Sequence, residues 1–246
     1  MVIDHCSTTW AVDENLSVSG PRLEGTTSFR VTISNCLIAE GLDDSSHAKG
    51  PHFKGTLIHD RIKQVAIIGC LYASNVDRNP YFKIGSSGVV ANTVIYNPGR
   101  NAIKASWMPE EWEGRIPPQE PELSVVGNIV IHGPDTAENV NVIGARVGKF
   151  YVDANRRVLR DGSHDDGVPD ESRIREQPLV WVHGLQVTTP DETLAAVTRR
   201  VGARPFDRDP IDQRIVDEGL NGGGGVSSTV RMRLAVTRSD SLHTES

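Results

Sequence analysis

The sequence predicts an all-β chain that folds as a parallel β-helix, a β-solenoid, followed by two C-terminal α-helices. Three observations predict it. Short β-branched runs recur at long intervals, Asn, Gly and Ser fill the spaces between them, and a helical period begins only near residue 190. Aligned one beneath another, the runs are MVIDHC at 1–6, VTISNC at 31–36, VAIIGC at 65–70, GVVANT at 88–93 and SVVGNI at 124–129. Their spacings of 30, 34, 23 and 36 residues fit units that bury an apolar face only by stacking on their neighbours. Helical repeats do not fit such short, turn-bounded runs. A β-sandwich is the competing fold, but its strands usually recur every 8–12 residues or so.

Taken in order, the N-terminus carries no basic segment followed by an apolar one, so no signal peptide is read in this chain. Residue 2 reads as a strand already under way, which implies an upstream extension. Cys6, Cys36 and Cys70 end three of the runs and form no disulfide or metal pattern, so they read as a buried column of small hydrophobes. The fifth column reads His5, Asn35, Gly69, Asn92 and Asn128. Loops at Ser19–Phe29 and Glu40–Gly55 read as insertions on a binding face. Ser106–Pro121, rich in Pro, acids and Trp, reads as an ordered excursion. Val140–Ile143, Lys149–Val152 and Val180–Val187 read as further strands, with a long loop over 155–178. Pro190–Asp191 opens one helix, and Asp209–Pro210 a second that ends at Asn221–Gly222. The expected organisation is a β-helix over 1–188, a helical appendage over 189–222 and a flexible tail over 223–246.

Charge is the next guide. The formal net charge is -6, yet residues 47–83 hold Lys49, Lys54, Arg61, Lys63, Arg78 and Lys83 against Asp60 and Asp77. A local basic patch on an acidic protein fits an anionic ligand at one place. An acidic zone precedes it, with Asp4, Asp13, Glu14, Glu24, Glu40, Asp43 and Asp44 against Arg22 and Arg30. Asp4 and His5 read as a structural pair, and His47, His52 and His59 as surface or groove residues, since their spacing suits no standard metal site. With 5% aromatic residues and net acidity, nucleic acid is a poor partner. No apolar run reaches the roughly 18 residues of a membrane-spanning helix.

Within this frame VIDHCSTTWAVDENLSV at 2–18, SHAKGPHFKGTLI at 46–58 and DRNPYFK at 77–83 resemble the pectate lyase family of polysaccharide lyases. The V/I-W-I-D-H-type strand corresponds to Val2–Ile3–Asp4–His5, and the R-x-P-x-x-R motif to Arg78–Asn79–Pro80–Tyr81–Phe82–Lys83, with lysine in the last place. The segment 202–222 also resembles the end of many bacterial members. The resemblance covers about 1–105 and 190–222. It implies a right-handed parallel β-helix that cleaves polygalacturonate by calcium-assisted β-elimination. It implies Arg78 as the base, Lys54 and Lys83 as substrate-binding cations, and Asp13 and Glu14 as calcium ligands. The family's other calcium acids lie upstream of the strand where this chain begins. A secreted, monomeric protein acting on an acidic polysaccharide is expected. A truncated β-helix that binds an anionic glycan without cleaving it is the alternative.

Overall fold

The computed structural model describes residues 1–21, 25, 27–42, 54–168, 170–223 and 225. Strands come in successive triplets. The first is β1 (Val2–Asp4), β2 (Ser7–Thr9) and β3 (Glu14–Val18), and the second β4 (Phe29–Ser34), β5 (Leu37–Ala39) and β6 (Lys54–Ile58). Then follow β7 (Lys63–Ile68), β8 (Leu71–Ala73) and β9 (Tyr81–Phe82), and β10 (Ser87–Ala91), β11 (Val94–Tyr96) and β12 (Ile103–Ala105). The last six are β13 (Glu122–Val126), β14 (Ile129–Ile131), β15 (Ile143–Ala145), β16 (Lys149–Asp153), β17 (Arg156–Val158) and β18 (His164–Asp165).

Each sheet collects every third strand, and β18 adds to the end of the second. The first sheet has the order β1-β4-β7-β10-β13-β16, the second β18-β17-β14-β11-β8-β5-β2, and the third β15-β12-β9-β6-β3. All pairings are parallel except β17 with β18.

Register explains the runs seen in sequence. Ile3, Ile33, Ile67, Val90, Val125 and Val152 stand at one ladder position of the first sheet, one β-branched side chain per triplet. Such residues fit a pleated surface and pack on their like in the next strand. They meet Ile38, Tyr72, Ile95 and Val130 of the second sheet and Ile58, Phe82 and Ile103 of the third in one core. Strand alternation sends the neighbours outward: Leu37 and Ala39 flank the inward Ile38 and face the other way.

The corner after each strand of the first sheet is a single left-handed residue: His5, Asn35, Gly69, Asn92, Gly127 and Ala154, with φ between 49° and 65°. This corrects the fifth repeat. Ala91 pairs with Val126, so Gly127 and not Asn128 occupies the column of Asn92. A Cβ at Gly127 would lie 2.4 Å from Asn92 Oδ1 and 2.8 Å from the Thr188 carbonyl, so both φ and space require glycine. Cys36 and Cys70 are buried as the column predicts, while Cys6 is half-buried.

The two helices form where the sequence places them. α1 (Pro190–Arg200) starts at a Thr189–Glu192 capping box, and α2 (Pro210–Asn221) runs from an Asp209 cap to left-handed Gly222. Val197, Val201, Ile215 and Val216 seal the outer face of the second sheet over Leu37, Leu71, Val94 and Tyr96. Three expectations are corrected. Residues 180–187 form no strand but a strap across the outer face of the first sheet, where Val182, Leu185 and Val187 pack on Ala66, Val89, Ala91 and Val126. The third strand of the fifth triplet is Ile143–Ala145, later than the Val140–Ile143 expected. The loop expected over 155–178 holds β17, β18 and a 3-10 turn at Glu171–Arg173. No helix among the described residues is long and apolar enough to cross a membrane. His47, Lys49, His52 and nearly all of the expected tail lie outside the described residues.

Candidate functional site

The third sheet brings the charged residues together. Glu14 opens β3 opposite Lys54, which opens β6, and Lys54 bridges in turn to Asp77 ahead of β9. One register position therefore carries acid, base and acid on three successive triplets. Arg78 follows in a left-handed conformation, φ 65°. Its guanidinium pairs with Glu14, both side chains being mostly buried. Lys54 Nζ lies 3.8 Å from Asp13 Oδ1. Thus Asp13, Glu14, Lys54 and Arg78, expected on three separate stretches, converge.

Beside them opens a groove of about 600 Å³. Its lining holds five cations, Lys54, Arg78, Arg100, Lys104 and Arg146, against one carboxylate, Asp77. Tyr81 lies between two of them, with Arg78 Cζ 5.6 Å and Lys104 Nζ 5.0 Å from its ring centroid. Lys104 also reaches Asp77 at 3.0 Å. Burial lowers the Arg78 guanidinium from its ordinary value, with Asp13, Tyr81 and Glu111 pulling the other way. Burial also raises Tyr81, to about 12, so it stays a neutral phenol up to strongly alkaline pH.

Lys83 stands apart from the groove lining. Its side chain is 5% exposed, 3.1 Å from the fully buried Asp60 and paired with Glu111. The 106–121 excursion, with a 3-10 turn at Pro109–Trp112, covers it: Trp112 is buried and donates to Asp60 at 3.3 Å. Lys104, Arg100 and Arg146 were missed in sequence. Lys104 stands opposite Tyr81 in the third sheet, so following that column past the R-x-P-x-x-R-type segment would have found it.

Asp13 and Glu14 alone do not make a calcium centre. Calcium takes six to eight oxygens or so, these two carboxylates already face Lys54 and Arg78, and no group of three or more His, Cys, Asp or Glu able to hold a metal ion occurs among the described residues.

No family model matches the chain. It is 30% identical over 226 residues to the probable pectate lyase C of Aspergillus flavus, covering 88% of this chain and 48% of that protein. The probable pectate lyase C of Emericella nidulans is 29% identical over 231 residues, covering 91% and 48%. Among solved structures, the thermostable pectate lyase PL 47 matches with a TM-score of 0.49 and 10% identity, over 84% of this chain and 66% of that one. The chain spans about half the length of the curated relatives it matches. By sequence, this chain is similar to the fungal proteins named probable pectate lyase C over about half of their length.

Proposed function

We propose that the chain is a right-handed parallel β-helix whose third sheet carries a polysaccharide lyase groove for polygalacturonate. The observation that carries this reading is the five-cation groove containing Arg78 and Lys54, the residues that the R-x-P and lysine motifs single out. Elimination removes the proton alpha to a uronate carboxylate, builds negative charge on that carboxylate, and ends as the glycosidic C–O bond beta to it breaks, leaving a carbon–carbon double bond and a sugar oxygen that takes a proton from water. Cations fixed around it stabilise that charge, a contribution that is often the largest in such sites. Lys54 and Lys104 hold the carboxylate in our reading, and Arg78, as the neutral guanidine, takes the proton. Asp13 and Glu14 act as counterions that keep Lys54 and Arg78 in place until substrate carboxylates replace them. Lys83 positions Glu111 and the excursion that walls one side. Asp13 and Glu14 are too few to hold calcium by themselves; uronate carboxylates and water would have to supply the remaining ligands. A secreted protein acting on an extracellular polymer fits the same reading.

The test is ultraviolet absorbance of the unsaturated product formed from polygalacturonate at alkaline pH, with added calcium and with a chelator. Product formation is the expected result. A folded sample that binds the polymer without forming product would favour a non-cleaving glycan-binding β-helix.

Gly55 supplies a second prediction. A Cβ there would lie 2.5 Å from the Arg78 carbonyl oxygen and 3.0 Å from the Tyr72 ring, so Gly55→Ala must push the Arg78 segment outward. A displacement of about 1 Å costs roughly 10²-fold in rate when a reacting group is misplaced. Gly55→Ala is expected to lose about that much activity while its circular dichroism stays that of the parent. Unchanged turnover would show that the position of Arg78 does not govern the reaction.

A further inference from the structure

The strap at 179–187 leaves part of the first sheet's outer face open. Ser124 Oγ accepts the N–H groups of Leu179 and Val180, both at 3.2 Å, and fixes the strap's near end. Beyond it, over β4 and β7, opens a cavity of about 640 Å³ lined by Arg30, Lys63, Gln64 and Trp181. That volume is in the usual range for small-molecule sites.

The cavity floor is built from unusual backbone. Arg30 and Gln64 lie within strands yet have φ of 54° and 57°, the same left-handed residue on adjacent triplets. Their neighbours keep register, Phe29 with Lys63 and Val31 with Val65, so Arg30 and Gln64 stand opposite each other in the turned backbone. The N–H of Gln64 donates to Ser87 Oγ at 3.1 Å, and Arg30 Nε donates to Gln64 Oε1 at 3.3 Å. Left-handed backbone at non-glycine residues is strained, and such strain clusters where function needs it.

Charge and shape agree. Neither Arg30 nor Lys63 enters an ion pair among the described residues, while the lining carboxylate Glu122 is matched with Lys149 at 3.3 Å. Trp181 is 42% exposed and is held from one side by Tyr151, 6.3 Å away and edge-on at 76°. An exposed indole offers an apolar platform, and an arginine and a lysine offer donors for a carboxylate. We propose that this cavity is a second carbohydrate site, which takes a uronate unit of an acidic oligosaccharide with its ring on Trp181 and its carboxylate on Arg30 and Lys63. It lies on a different sheet from the groove and anchors polymer without cleaving it. The choice of a uronate over another acidic sugar rests on the lyase reading; the carboxylate site does not.

The experiment is calorimetric titration with hexagalacturonate in chelator, beside a neutral maltohexaose control. A groove variant, Lys54→Ala/Lys104→Ala, is expected to keep about one binding site per chain. Adding Arg30→Glu/Lys63→Glu is expected to weaken that residual binding by about tenfold or more, since charge-assisted hydrogen bonds are lost. Trp181→Ala is expected to weaken it too, and the neutral sugar is expected not to compete. All three cavity residues are exposed, so thermal unfolding of the variants should match that of the parent. Loss of all binding in the groove variant, or unchanged residual binding after the Arg30 and Lys63 reversals, overturns the proposal. Equal binding of the neutral sugar overturns the role given to the cations. Absence of unsaturated product in the separate cleavage assay would sink the lyase reading while leaving this titration intact.

Discussion

Replacement of Arg78 by alanine is expected to lower the rate of unsaturated-product formation by about 10²–10⁴-fold, the usual contribution of a well-placed proton acceptor. Arg78 sits against Glu14 and over Tyr81, and burial already lowers it from its ordinary value. Only the neutral guanidine accepts a proton. Below its pKa that fraction grows about tenfold per pH unit, so the parent's rate should climb steeply toward alkaline pH and the variant's should not. Glu14 adds a sharper test. An opposite charge in contact favours the charged form of a cation and so holds its pKa up. Glu14→Gln should therefore move the rising limb of the pH–rate profile toward acid. A uniform loss of rate at every pH would instead mean that Glu14 acts on the substrate or on a bound ion. Arg78→Lys, which keeps charge but not the planar fork, should recover substrate binding more than turnover.

The first sheet was legible because each triplet meets the same demand. One β-branched residue must point inward at the same register, and Ile3, Ile33, Ile67, Val90, Val125 and Val152 meet it. The one-residue slip at the fifth repeat arose because Gly and Asn both tolerate the left-handed corner, so the sequence offers Gly127 and Asn128 side by side. The helices were legible through their caps, which are local. The third sheet was not: its strands are short, and the excursion and loops between them vary in length. Lys54, Arg78, Asp13 and Glu14 were found through motifs, whereas Lys104, Arg100 and Arg146 enter the groove through strand register and loop packing that no motif encodes. Lys83 shows the converse. Its place in the motif says nothing of Trp112 and Glu111, which lie about thirty residues on in sequence and close over it. Residues 180–187 read as a strand from composition. The N–H groups of Leu179 and Val180 go to a serine side chain, and neither joins a neighbouring ladder.

The second large effect concerns how the helices are held. Arg214 of α2 reaches Glu40 through two nitrogens, at 2.8 and 2.9 Å, and Glu218 at 2.9 Å. Glu40 follows β5, is 1% exposed, and also accepts from the Trp10 indole at 3.0 Å. Burial opposes the charge on Arg214, but the bonds to Glu40 and Glu218 outweigh it and hold its pKa above the ordinary value. Removing one partner of a buried pair strands the other, at a cost of about 3–5 kcal/mol. Arg214→Met is therefore expected to lower the melting temperature by roughly 6–20 °C, given about 2–4 °C per kcal/mol for a chain of this size. Truncating Arg214 leaves the apolar contact of Ile215 and Val216 with the second sheet in place, so the loss should trace to the stranded Glu40 carboxylate. Glu40→Gln combined with Arg214→Met separates the two causes. If the carboxylate is the cause, the double variant should recover at least half of the lost stability, because a neutral amide no longer needs a cation. If the double variant melts no higher than Arg214→Met, the helix is held by packing around the arginine stem, and the ion pair contributes orientation rather than stability.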